Sequence, residues 1–180
     1  MTEELAASFE RASEYDRYVK SGTPEQQRRW DQVYQAAHLT ERQRALVAGF
    51  QREMNILVIS AIWCGDCSQQ CPLLARIAES NPGRIHLRFV ERDAESKFSS
   101  SYRINGGDRV PVAIFMAEDF EPCAVFGDRT LSRYRALALR QLGSACPSGI
   151  TAPDHDELSA ALADWLVEVE RIQLMLRLSP

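Results

Sequence analysis

The chain has 180 residues, 45% hydrophobic and 26% charged, with a net charge of −4, which fits a globular protein large enough for one buried core and some decoration. Its arginines are scattered among carboxylates rather than gathered into a stripe, so nucleic acid is not an expected partner. No apolar run approaches the ~20 residues of a membrane helix, and the acidic start lacks the basic and apolar regions of a secretory signal; a cytoplasmic location, without membrane attachment, is the expectation.

Residues 4–20 place Leu5, Phe9, Ala12, Tyr15 and Val19 at near-helical spacing and read as one helix, ended by Ser21-Gly22. Thr23-Pro24-Glu25-Gln26 opens a second, with a capping hydroxyl, proline at the first helical position and glutamine at the third. Its inner face is Trp30, Val33, Tyr34 and Ala37. His38 near its end reads as a dipole contact rather than a ligand, since no second ligand stands at metal spacing. Thr40 with Gln43 repeats the capping pattern and opens a third helix, with Ala45, Leu46, Gly49 and Phe50 expected inside.

From residue 55 the period changes. Residues 55–62, NILVISAI, form a nearly continuous β-branched run, as suits a strand buried on both faces. Helical spacing returns over 68–80 through Leu73, Leu74, Ile77 and Ala78, and Asn81-Pro82-Gly83 stops it. RIHLRFVERD alternates as a second strand, AESKFSSSYRI is a weak helix, VPVAIFMAED and EPCAVFGDR are strands about a turn near Asp119, and 130–142 is a closing helix. The order β-α-β-α-β-β-α implies an α/β fold with parallel crossovers and a final antiparallel hairpin, hence a mixed sheet. After a Pro, Gly and Ser linker at 147–153, Asp154 and Glu157 are expected to cap a helix running to about Leu178. On it Leu158, Leu162, Trp165, Val169, Ile172 and Leu176 step by four and three, a seam that either packs on the chain's own N-terminal helices or supports a homodimer. The organisation is therefore a helical extension over 1–53, a core over 54–145, and a linker and helix over 146–180 packed on the same domain.

Five cysteines in a chain without an export signal argue for thiols that stay reduced or cycle, not for a disulfide framework. Cys64 falls where a strand ends and a helix begins, facing unpaired backbone N–H groups that favour the thiolate. Cys67, one turn further, is close enough to form a disulfide with it. Such a pair supports two-electron exchange: Cys64 attacks a substrate disulfide and Cys67 resolves the mixed disulfide. Trp63 would shield one side of the reacting sulfur.

WCGDC, residues 63–67, resembles the active-site motif of the thioredoxin superfamily, with Asp66 replacing the usual proline beside Gly65. Pro72, eight residues after Cys64, resembles the proline that kinks the family's active-site helix. Val110-Pro111 resembles its cis-proline dipeptide, and Gly127 the glycine of the next strand. This resemblance implies Cys64 as nucleophile, Cys67 as resolving thiol, and Trp63, Gly65, Asp66, Val110 and Pro111 as the surface that binds substrate or tunes the thiols. It also implies a disulfide-containing protein or small-thiol substrate, a reductase or small-thiol electron donor, and no cofactor beyond the Cys64–Cys67 disulfide. Two departures stand out: Val58 occupies the place of the family's buried aspartate, leaving water or Asp66 to serve Cys67, and the Asp66 charge is expected to oppose the Cys64 thiolate and make the protein reducing.

Cys71 is expected as a buried packing thiol, with a relay from Cys67 as the alternative. Cys123 reads as a strand residue and Cys146 as an exposed linker thiol. The Cys67, Cys71, Pro72 spacing matches part of an iron–sulfur run, but a fourth ligand could come only from Cys123, Cys146 or a second chain, so no metal is expected. The rival from another class is a thioredoxin-like interaction module whose redox role is secondary.

Overall fold

The computed structural model describes residues 2–142 and 156–179. The elements are α1 (Thr2–Arg11), α2 (Tyr15–Lys20), α3 (Pro24–Ala36), α4 (Glu41–Ala48), β1 (Met54–Ser60), α5 (Gly65–Glu79), β2 (Ile85–Glu91), α6 (Ser96–Ser99) with a 3₁₀ turn at Ser100–Tyr102, β3 (Val112–Met116), β4 (Pro122–Gly127), α7 (Leu131–Leu142) and α8 (Glu157–Leu178). The sheet order is β2-β1-β3-β4. β1 runs parallel to β2 and antiparallel to β3, and β3 pairs with β4 as the final antiparallel hairpin. All seven residues of β1 are buried, which is why its sequence is apolar without alternation.

The expected single helix over 4–20 is two helices. Ser13 breaks it by exchanging backbone hydrogen bonds with Phe89, at 2.9 and 2.8 Å, so the extension covers the free edge of β2. Both capping boxes form as read, at Thr23 with Gln26 and at Thr40 with Gln43. On α4, however, the buried residue is Val47 while Leu46 is exposed; eight residues meet the core along one short line, and periodicity over two turns cannot fix which. Asp156, not Glu157, caps α8 by accepting from the Ser159 N–H; Asp154, the linker and Cys146 lie outside the described residues.

The α8 seam lies within the chain. Leu162, Trp165, Val169, Ile172 and Leu176 are all buried against α5 and α7, and Trp165 meets Phe126 edge-on at 5.0 Å. The sequence expectation of packing on the N-terminal helices is met near α4, where Gln173 donates to the Arg52 carbonyl at 2.8 Å. A homodimer through this seam has no free surface to use.

Candidate active site

Cys64 is the N-cap of α5, in extended conformation, held by a turn in which its N–H donates to the Ala61 carbonyl at 2.9 Å. It is partly exposed, whereas Cys67, one turn in, is fully buried. The Cys64 sulfur lies 3.8 Å from the Val110 carbonyl oxygen, and the Val110–Pro111 peptide is cis. Trp63, half exposed at 51%, stands beside it with the Arg92 guanidinium 5.0 Å from its ring centroid. Gly65 has nothing within 4 Å of where a Cβ would lie, so it leaves the surface next to Cys64 open. Gly127 is different: a Cβ there would meet the Pro111 carbonyl oxygen at 2.5 Å, so only glycine lets β4 pass so close to the Pro111 loop. Cys64, Cys67, Trp63, Gly65, Asp66, Val110 and Pro111 thus gather at one end of the sheet.

The two thiols are close enough that each shifts the titration of the other. That contact with Cys67, followed by burial, raises the Cys64 thiol above its ordinary value, against the backbone N–H groups of Cys67 and Asp66, which favour the thiolate. Burial holds Cys67 well above its ordinary value. Around its sulfur are the Ala61 N–H at 3.5 Å, Ser60 and Cys71. Cys71 is fully buried, 3.7 Å from the Ser60 hydroxyl, and Cys123 sits half-buried on β4.

Asp66 does not play the part its sequence position suggests. Its carboxylate accepts from Arg129 Nε at 2.9 Å and from Arg133 Nε at 3.2 Å. Burial would raise its pKa, and the two arginines, Arg129 first, more than offset that and hold it below the usual range. Its charge is therefore neutralised by guanidinium groups instead of bearing on Cys64, and the thiol is raised for a different reason. Arg129 also reaches the buried Asp128 at 3.0 Å, and Asp128 accepts from the Tyr134 hydroxyl. The loop carrying Arg129 is fixed from α5: the buried Gln70 amide donates to the Asp128 carbonyl at 2.8 Å and accepts from the Thr130 N–H at 3.0 Å.

The sequence also hid the support beneath the motif. Trp30 donates from its indole to the Ile62 carbonyl at 3.0 Å. Glu91, at the end of β2, accepts from the Ile62 N–H at 3.1 Å and from the Tyr18 hydroxyl at 2.7 Å. The N-terminal extension therefore holds both backbone polar groups of the residue preceding Trp63, directly or through Glu91. Trp30 and Tyr18 were legible as apolar positions of helices; that each carries a polar atom to the motif is a tertiary fact without a local signal. Among the described residues no three His, Cys, Asp or Glu side chains come together as a metal site, and no helix is long and apolar enough to cross a membrane.

A crystal structure of a protein of unknown function from Pseudomonas aeruginosa superposes with a TM-score of 0.72 at 20% identity, covering 93% of this chain and 97% of that one, so the helical flanks are part of a shared fold. Protein disulfide isomerase-like 2-3 of Oryza sativa subsp. japonica is 31% identical over 116 residues, covering 62% of this chain and 26% of the rice protein. Protein disulfide-isomerase like 2-2 of Arabidopsis thaliana is 29% identical over 107 residues, covering 57% of this chain and 24% of the plant protein. The chain spans about a quarter of the length of these curated relatives, and the likeness supports a thiol oxidoreductase type of role in general terms. A thioredoxin family model matches residues 12–136, well over half of the chain, and the chain belongs to the thioredoxin family.

Proposed function

We propose that the protein is a dithiol–disulfide oxidoreductase that reduces disulfides through Cys64 and Cys67. The observation that carries this reading is a partly exposed thiol at a helix N-cap, 3.8 Å from the Val110 carbonyl, with a fully buried thiol one turn in. Cys64, as thiolate, attacks one sulfur of the substrate disulfide; that S–S bond breaks and the first substrate thiolate leaves and takes up a proton. Cys67 then loses its proton and attacks the Cys64 sulfur of the mixed disulfide, releasing the second substrate thiol. Two electrons have moved to the substrate, and the protein holds a Cys64–Cys67 disulfide, which a reductase or a small thiol returns to the dithiol. The Val110 carbonyl beside the Cys64 sulfur suits backbone pairing with an extended substrate. The neighbouring Cys67 and burial disfavour the Cys64 thiolate, and a less stabilised thiolate favours the disulfide form, so a reducing couple is expected.

Reduction of insulin by the protein with dithiothreitol tests this directly. Turnover is expected for the wild type and lost in Cys64→Ser, while Cys67→Ser accumulates a mixed disulfide on Cys64. Turnover that survives Cys64→Ser overturns the mechanism and leaves the fold as an interaction module.

A further inference from the structure

The cleft that opens on Cys64 has a volume of about 360 Å³ and is lined by Trp63, Asp66, Arg92, Arg109, Val110, Asp128 and Arg129 among others, at the small end of ligand pockets. What an incoming molecule meets there is decided by which charges face outward. Asp128 and Asp66 are 3% and 16% exposed at their side chains and have their oxygens taken by Arg109, Arg129 and Arg133, whereas Arg92, Arg129 and Arg109 are 22%, 25% and 40% exposed. Asp108, the one well-exposed carboxylate of the lining, is occupied by Arg103 at 2.9 Å. Arg109 holds only a long contact of 3.5 Å, to an Asp128 oxygen that Arg129 already takes at 3.0 Å. The chain of ion pairs running from the cleft joins Arg109, Arg129, Arg133 and Arg140 to Asp66, Asp128 and Glu157. It therefore carries one positive charge in excess, and the least engaged guanidinium is Arg109, next to the Val110 carbonyl that touches Cys64.

We infer that this cleft selects acidic disulfides, in which a carboxylate a few atoms from the reacting sulfur pairs with Arg109 while the sulfur faces Cys64. The inference rests on the oxidoreductase reading above and names its substrate class; the bond changes and the two-electron balance are those already given, with the reduced protein itself as the reductant. Arg109 contacts the substrate and leaves the reacting atoms to the thiols. A second guanidinium of the lining, Arg92, lies over Trp63 but is already paired with Asp93 at 2.8 Å, which leaves Arg109 as the group for the substrate carboxylate.

The test uses the full chain, reduced and freed of reductant, against three disulfides that share an S–CH2–CH2 spacer: 3,3′-dithiodipropionate, bis(2-hydroxyethyl) disulfide and cystamine, which are anionic, neutral and cationic. Rates are read by quenching with an alkylating agent and divided by those of dithiothreitol with the same compounds, which removes intrinsic reactivity. The anionic compound is expected to react about threefold faster than the neutral one at low ionic strength, as partly exposed charge pairs allow, and the cationic one more slowly. Raising salt to about 1 M brings the ratios toward one. Arg109→Gln lowers the anionic-to-neutral ratio in the same direction. Peptide disulfides flanked by glutamate or by lysine separate the two sources of such a group: preference for dithiodipropionate supports a small acidic disulfide, and preference confined to the glutamate peptide supports an acidic chain segment. Equal normalised rates across the charge series, for small compounds and peptides alike, overturn the inference while leaving the oxidoreductase standing. Failure to reduce any of them overturns the oxidoreductase reading and takes the inference with it.

Discussion

Cys64 occupies the position that ordinarily activates a thiol, yet its neighbours act against activation. The Cys67 thiol and partial burial raise it, and two backbone N–H groups offset only part of this. Alkylation of Cys64 by iodoacetamide should therefore accelerate with pH past the range of a free thiol, ~8.5; a plateau below neutral pH would contradict the balance described. Asp66 belongs to a different account. Its pKa is lowered in the fold by Arg129 and Arg133, so the stability it contributes is complete above the ordinary aspartate range near pH ~4 and is lost as pH falls through the lower native value. Replacing Asp66 with Asn should cost about 1–3 kcal/mol at pH 7 and much less near pH 2, checked by urea unfolding at both. The substitution also removes one negative charge beside the thiols while Arg129 and Arg133 keep Asp128 and Glu157, so it should lower the Cys64 pKa slightly. An equal cost at both pH values would show that the pairs contribute nothing.

The reactive loop is held by elements that come earlier in the chain than the strand it follows. Trp30 of α3 and Tyr18 of α2 reach Ile62 directly or through Glu91, and Gly22 between them packs on Ile62, where a Cβ would come within 2.7 Å of its Cγ1. Trp30→Phe keeps the buried bulk and removes one donor, leaving the Ile62 carbonyl unpaired. It should lower stability by about 1–3 kcal/mol and change the Cys64 alkylation rate through the Ile62 carbonyl that Trp30 holds; an unchanged rate would mean the extension only packs. Much of this arrangement was open to sequence reading. The β1 run, the two capping boxes and the motif at a strand-to-helix junction are local patterns, and each formed where its residues stand. Hidden were the break at Ser13, which follows from an unpaired edge of β2, and the destination of Asp66, set by arginines more than sixty residues away. Neither has a periodicity to betray it.

The whole molecule is one core with α8 as a working part. Trp165 is fully buried between the sheet and the helices that carry the site, so Trp165→Ala should cost about 3–5 kcal/mol in a single cooperative unfolding transition. A loss below about 1 kcal/mol, or a separate early transition, would show that α8 is an appendage. The extension at the front and α8 at the back thus support the Cys64–Cys67 dithiol from both ends of the chain, beside a cleft lined by Arg92, Arg109 and Arg129. All of this depends on Cys64 and Cys67 exchanging electrons as a pair. The measurement that tests it most directly is intact mass after alkylation across a series of dithiothreitol redox buffers, with peptide mapping of the blocked thiols. The account predicts one reversible two-electron disulfide between Cys64 and Cys67 at a reducing potential, with Cys71 left as a thiol throughout. No disulfide, or a mapped pair that includes Cys71, would contradict it.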